Sequence, residues 1–455
     1  MNLLGWDTIY VSDIVEINTE LGDYTASIKQ SLNASESGAS IQAELGRWQI
    51  VRGGSGKYVR IAIEITQGTL KLSDTSVQLS GCKVLLNIKL SLLPAPTGGG
   101  QQLVFDFEAA GKPDAAATVT PVSPNGIISP KASLTPFQEA MLGMEVAKTL
   151  VANAGKVAFV LAHIEPFGSS GISWLEPKKC AFSYGEEVGT NRQLLAIFAV
   201  TNNRSITGLP TNLSTGLLAS DCNAGMAISE TLFLKNVFAP AYAKSLHTSV
   251  ANLAVSGPRD FFDFDQHERG FDKEFLETLD TLVGTDWGAN AQDTLHTKHH
   301  IDLHHIKVGL ITYDPVIDGA SAVVSDDVIS TALHGHCSLK LGINMTFHSS
   351  SVMTATFDAK SQSVKFHVKG KPAFAKKVHV PPLLNWAKLI DLIAGLIFDA
   401  VVAAIGSALS DAINRVTSSK KISEHAIAAV TWGGKGTFKP IRGGLASAFY
   451  IQGNY

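Results

Sequence analysis

The stretch LLNWAKLIDLIAGLIFDAVVAAIGSALSDAINRV, residues 383–416, constrains the fold more than any other, because so apolar a segment must be removed from water. A membrane span needs about 18 or more consecutive apolar residues. Here Asp391, Asp399 and Asp411 interrupt, and the longest uncharged run is Ala400 to Ser410. The segment therefore predicts a long helix, at about 383–416, that is apolar almost all round and buried inside a sheet or against a ligand. Ala394, Gly395, Ala403, Ala404, Gly406 and Ala408 would let strands or acyl chains approach its backbone. Two readings stay open: a core helix wrapped by sheet with no ligand, or a ligand lining formed by Leu392, Leu396, Ile397, Val401 and Ile405.

Something must wrap such a helix, and most of the remaining chain has the period of strands. Val59, Ile61, Ile63 and Ile65 alternate with Tyr58, Arg60, Ala62 and Glu64, and upstream Trp48 and Ile50 alternate with Arg47 and Gln49. Between them Gly53-Gly54-Ser55-Gly56-Lys57 has the look of a phosphate loop. The spacing excludes it: the first glycine of a P-loop falls on Val51, the magnesium-binding hydroxyl falls on Tyr58, and a strand follows where a helix is needed. The stretch predicts a glycine-rich hairpin tip, with Arg52 and Lys57 as candidates for contact with a lipid headgroup or an acidic partner, or as ordinary solvated charges.

The expected organisation is a β-rich part over 1–108, a linker or surface loop over 109–134, a helix plus strands over 135–256, a polar insertion over 257–305, and a β-rich part carrying the late helix over 306–455. Within the third part, Thr135 is placed as an N-cap and Pro136 at the first turn. Phe137, Ala140, Met141, Met144 and Val151 follow at helical spacing, and Met141 and Met144 suit either core packing or a lipid-facing lining.

The 37 basic and 40 acidic residues nearly cancel, so no global field attracts nucleic acid. The opening residues show neither a basic region nor a long apolar run, and the expectation is a soluble protein, cytoplasmic or exported without a classical signal. Cys82, Cys180, Cys222 and Cys337 form no Cys-x-x-Cys pair and read first as isolated buried thiols. HTKHHIDLHHIK sets His296, His300 and His304 four apart, which suits a zinc site, a pH-responsive cluster or a plain solvated surface. Asp260, Asp263, Asp265 and Glu268 lack the spacing of a calcium loop. No nucleophile elbow, kinase set or His-Glu-x-x-His motif occurs, so no catalytic residue and no cofactor are expected, a bound lipid or fatty acid apart.

Four blocks fall in an order that resembles one family: GWDTIY at Gly5–Tyr10, WQIVRGGSGKYVRIAIEITQGTL at Trp48–Leu70, WLEPKKCAFSYG at Trp174–Gly185 leading into LLAIFAVTNNR, and LFLKNVF at Leu232–Phe238. They are similar to the forty-seven-kilodalton accessory protein and the OrfX proteins of clostridial neurotoxin gene clusters. That resemblance implies an α+β, elongated fold of the tubular lipid-binding (TULIP) type, in which a strongly curved antiparallel sheet wraps a long helix. It implies a non-enzymatic lipid-binding protein, with a lipid or membrane surface as partner. The alternative it leaves is a structural or assembly partner of a neighbouring toxin or OrfX-like protein, without lipid cargo.

Overall fold

A computed structural model describes the chain except residues 1–2, 37–38, 73–74, 97–98, 113–116, 129–133, 167–171, 188, 214–215, 257–292, 304, 309, 340–341, 380–386, 406, 418–428 and 434–437. Sheet dominates, the sheets are curved and open, and the chain divides into two compact units, each assembled from separate stretches of sequence.

One unit comprises Ile9–Gly225, His425–Lys439 and Gly453–Tyr455. Its main sheet runs Gln30–Glu36, Ala39–Ser55, Tyr58–Leu72, Lys83–Pro94, Gln101–Phe105, Val160–Ile164, Val430–Trp432, each strand antiparallel to the next. The alternation read from the sequence is realised except at Ala62: Val59, Ile61, Ile63 and Ile65 are fully buried, Tyr58 is exposed and Arg60 and Glu64 are half-buried, but Ala62 is buried as well. Helix α1, Ile14–Ser27, starts where the Asp13 carboxylate accepts the Val15 N–H at 3.1 Å. It is tied to the sheet through polar side chains. Asn18 accepts from the Ile50 N–H at 2.7 Å and donates to its carbonyl at 3.0 Å, and Thr25 Oγ1 accepts from Trp48 N–H at 3.0 Å. Trp48, 1% exposed, meets Phe105 and Phe107 with ring centroids 6.3 and 6.2 Å away.

The stretch read as a linker over 109–134 contains sheet where it is described. Val119–Pro121 and Ile127–Ile128 both pair with Lys83–Pro94. Short strands of this kind carry too few residues to show a period, so composition alone gave a loop.

The other unit comprises Met1–Thr8, Met226–Glu424 and Pro440–Gln452. Its antiparallel sheet runs Leu253–Ser256, Thr294–Thr297, Pro315–Ser325, Val328–Ser338, Asn344–Asp358, Ser363–Val368, with Ala373–His379 also paired to Asn344–Asp358. Most of the expected polar insertion, 257–292, lies outside the described residues, and Thr294–Thr297 at its end is a sheet strand. A short helix α2, Glu230–Phe233, leads through a π-turn at Leu234–Phe238 into α3, Ala239–Ser245. Phe233 stacks between Phe366 and Phe449, with ring centroids 5.8 and 5.5 Å apart.

The late apolar segment forms α4, Ala387–Ile405, and α5, Ser407–Thr417. Among the described side chains of α4, Ile390, Ile393, Ala394 and Ile397 are buried and Asp391, Leu392, Gly395 and Asp399 are exposed. That is a one-sided stripe at i, i+3, i+4 and i+7. The expectation of a helix apolar almost all round and buried along most of its length is corrected for the described side chains, since Lys388, Asp391, Leu392, Gly395 and Asp399 are exposed. Phe398 meets Phe374 edge-on at 5.0 Å, Lys376 Nζ donates to Asp391 at 2.6 Å, and on α5 Asn414 holds both the N–H and the carbonyl of Phe366, at 2.7 and 3.1 Å. Among the described residues no helix is long and apolar enough to cross a membrane.

Candidate functional site

Helix α6, Pro136–Ala152, builds the site. Its start is fixed by a reciprocal capping box: Gln138 N–H donates to Thr135 Oγ1 at 3.4 Å, and Thr135 N–H donates to Gln138 Oε1 at 2.7 Å. Leu142, Gly143, Val146, Ala147 and Leu150 form its buried face. Gly143 allows a close approach, because a Cβ there would lie 2.9 Å from Pro121 Cβ.

Phe137, Ala140, Met141 and Met144, the stripe that the sequence singled out, lie on another face. Phe137 is 68% exposed, Ala140 is exposed, and both methionines are half-buried. This face borders a groove of about 660 Å³ whose further walls are Pro121, Val122 and Pro124, with Leu72 and Leu134. Lys112, Glu139, Glu145 and Lys148 stand among its lining residues. Lys148 Nζ donates to Glu145 Oε1 at 2.6 Å, and Lys112 is exposed. The helix is thus apolar on two faces, one packed on sheet and one open. A single-stripe reading of the sequence finds the open face and misses the packed one.

Chemically the groove is a trough of thioether, proline and aliphatic carbon with amines and carboxylates at hand. Met side chains bend to fit irregular apolar shapes. Pro121, Val122 and Pro124 come from the stretch read as a linker, and the proline pair was the available signal for a fixed wall.

The other anticipated residues are dispersed. Leu396 is half-buried and Ile397 fully buried on α4, Leu392 is 54% exposed and so faces away from that helix's packed stripe, and the side chains of Val401 and Ile405 lie outside the described residues. These positions belong to a different unit from Met141 and Met144. His296 sits in a strand with Nδ1 3.4 Å from Ser256 Oγ and from the Thr294 carbonyl, His300 is exposed, and His304 lies outside the described residues. No cluster of metal-binding side chains occurs among the described residues, and all four cysteines are free thiols.

The hairpin tip is confirmed in detail. Ser55 pairs with Tyr58, and Gly56 turns the chain at φ 59°. The glycines do a second job. Gly56 exchanges two backbone hydrogen bonds with Tyr184, at 3.0 and 2.7 Å, and a Cβ on Gly54 would lie 2.8 Å from the Tyr184 ring. Gly53 N–H donates to Glu186 Oε1 at 2.5 Å and Arg52 Nε to Glu186 Oε2 at 2.9 Å. Burial raises the Glu186 pKa, but these donors and the Tyr184 hydroxyl outweigh it and hold the carboxyl below its ordinary value. Arg52 is thereby committed to an internal ion pair, while Lys57 stays exposed at the tip.

Known structures share this fold. P47 from Clostridium botulinum A2 matches with a TM-score of 0.72 at 20% identity, covering 100% of this chain and 98% of that one. P47 of Clostridium botulinum E1 matches with a TM-score of 0.70 at 20% identity and 99% coverage of both. The architecture is therefore that of a P47-type, sheet-rich protein. In sequence, Protein P47 of Clostridium botulinum (strain Kyoto / Type A2) is 27% identical over 240 residues, 52% of this chain and 55% of that protein. The matched region spans about half the length of that curated relative. The family model OrfX-like, Protein OrfX2/OrfX3/P47, matches residues 3–260, and the chain belongs to this family.

Proposed function

We propose that this chain is a non-enzymatic binding protein of TULIP type that holds one acyl chain of a lipid or fatty acid in the groove beside α6, as an accessory factor of a toxin gene cluster. The observation that carries the reading is an apolar trough of about 660 Å³ bordered by Phe137, Met141 and Met144. Leaving Phe137 in water is unfavourable unless something covers it, and each methylene buried contributes about 0.8 kcal/mol. Lys112, exposed among the lining residues, suits an anionic headgroup. The curved sheet and the one-sided α4 helix are compatible with a TULIP-like wrap, with Ile397 and Leu396 turned toward protein.

The test is native mass spectrometry and lipid extraction of the purified chain, before and after incubation with palmitate or phosphatidylinositol. A one-to-one adduct that Phe137→Asp and Met144→Asp remove supports the reading. A chain that takes up neither, or takes them up equally well in both variants, sinks it.

A second reading, a docking site for a neighbouring toxin or OrfX-like protein without lipid cargo, is favoured by the same exposed Phe137. Co-purification that Phe137→Asp abolishes, in material free of lipid, would decide for it.

A further inference from the structure

The five methionines that the structure describes fall into two sets. Met226 is 3% exposed and Met345 and Met353 are 0% exposed, whereas Met141 and Met144 are half-buried on the open face of α6. Three residues apart on a helix, these two are neighbours, and both border the groove of about 660 Å³. Their thioether sulfurs are soft and polarisable, and are the most readily oxidised atoms on this helix. The other groove walls, Leu72, Pro121, Val122, Pro124 and Phe137, are hydrocarbon and inert to mild oxidants.

Thiols ordinarily compete for such oxidants, and here they are withdrawn. Cys82, Cys222 and Cys337 are buried. Burial also pushes the Cys180 thiol up to about 12 and the Cys337 thiol up to about 11, so neither presents a thiolate at neutral pH. None of the four cysteines is among the residues lining the groove. Exposure thus concentrates sensitivity to oxidation on one wall of one groove.

We infer that Met141 and Met144 are a modification site, at which hydrogen peroxide or an organic peroxide converts an apolar wall into a polar one and closes the groove to an acyl chain. The inference rests on the acyl-binding reading of that groove. In the step, a sulfur lone pair attacks one peroxide oxygen, and the S–O bond forms as the O–O bond breaks. The departing hydroxide takes up the proton from the transferred oxygen and leaves as water. Sulfur is oxidised by the electron pair that the peroxide gains. The product is a sulfoxide, polar and chiral, whose oxygen accepts hydrogen bonds. Against methylenes that oxygen finds no donor, so covering it with an acyl chain becomes costly. In the empty groove it stays in water, and the packed face of α6, with Leu142, Val146 and Leu150, is untouched. The fold therefore survives the change that shuts the groove. Methionine sulfoxide reductases return the sulfoxide to the thioether, which makes the site a reversible switch.

The experiment treats the purified full chain with dilute hydrogen peroxide and follows each methionine by peptide-mapping mass spectrometry. Palmitate uptake is measured by native mass spectrometry before and after. Met141 and Met144 should oxidise about ten-fold or more faster than Met226, Met345 and Met353. The chain carrying both sulfoxides should keep its melting temperature, lose palmitate uptake by about ten-fold or more, and regain it after treatment with methionine sulfoxide reductases A and B. A chain that takes up no palmitate before peroxide fails the acyl-binding reading, and the inference falls with it. Uptake that persists with both sulfoxides in place overturns the inference alone. Oxidation of Met345 or Met353 at the same rate, loss of uptake through unfolding, or loss that the reductases do not restore would each overturn it as well.

Discussion

His348 offers the sharpest test of the packing in the carboxy-terminal sheet. It lies on Asn344–Asp358 directly opposite His334 and is 1% exposed. Burial disfavours its charged form and lowers its pKa from 6.5 to about 4. The sign follows from proton counting. Between those values the unfolded chain holds a proton on this imidazole and the folded chain does not, so stability present above pH 6.5 is lost as pH falls toward 4. A shift of this size corresponds to about 3 kcal/mol at full development. The assay is urea unfolding at pH 7.5 and pH 4.5, read by hydrogen-exchange mass spectrometry of peptides covering 344–358, for the parent and for His348→Gln. The parent should lose about 2.5 kcal/mol more than the variant across that interval. Equal losses in both proteins would refute the argument, because they would mean that the imidazole is hydrated or charged in the folded state.

Other predictions follow from the same contacts. Gly54→Ala should destabilise by about 1–3 kcal/mol, measured by thermal unfolding, since the new methyl meets both the Tyr58 carbonyl and the Tyr184 ring under 3 Å. Arg192→Ala should cost about 3 kcal/mol in urea unfolding, because the guanidinium binds the Asp13 carboxylate at 3.0 Å and the carbonyls of Leu218, Ala219 and Cys222. Burial pushes the Cys180 thiol up to about 12 and the Cys337 thiol up to about 11, so alkylation of both by iodoacetamide at pH 8 should be far slower than for a free cysteine peptide. Phe137→Asp should leave the melting temperature nearly unchanged, as its ring is exposed, while abolishing uptake of an acyl chain.

What the sequence disclosed depended on the length of the pattern. The run from Trp48 to Ile65 repeats with period two long enough to define both strands, their inward faces and the turn between them. Thr135-Pro136 likewise marked the start of α6 because capping chemistry is local. Val119–Pro121 is too short for any period, and its pairing with Lys83–Pro94 is set by the tertiary structure alone. The division of the chain was illegible for a similar reason: each unit draws on stretches far apart in sequence, which no linear composition shift records. At the candidate site, Met141 and Met144 were found, but their wall of Pro121, Val122 and Pro124 was not. Hydropathy along α4 overstated its burial, since apolar residues such as Leu392 remain in water when only one face of a helix meets a sheet.

The central claim is that an acyl chain lies against Met141 and Met144. The chain has six methionines, so methyl-labelled methionine spectra are simple enough to read each one. Adding a stearate that carries a nitroxide on its tail should broaden the Met141 and Met144 methyl signals selectively, leave those of the buried Met345 and Met353 sharp, and lose its effect in Phe137→Asp. Unbroadened Met141 and Met144 signals at saturating stearate, or broadening centred on Met345 and Met353, would contradict the account.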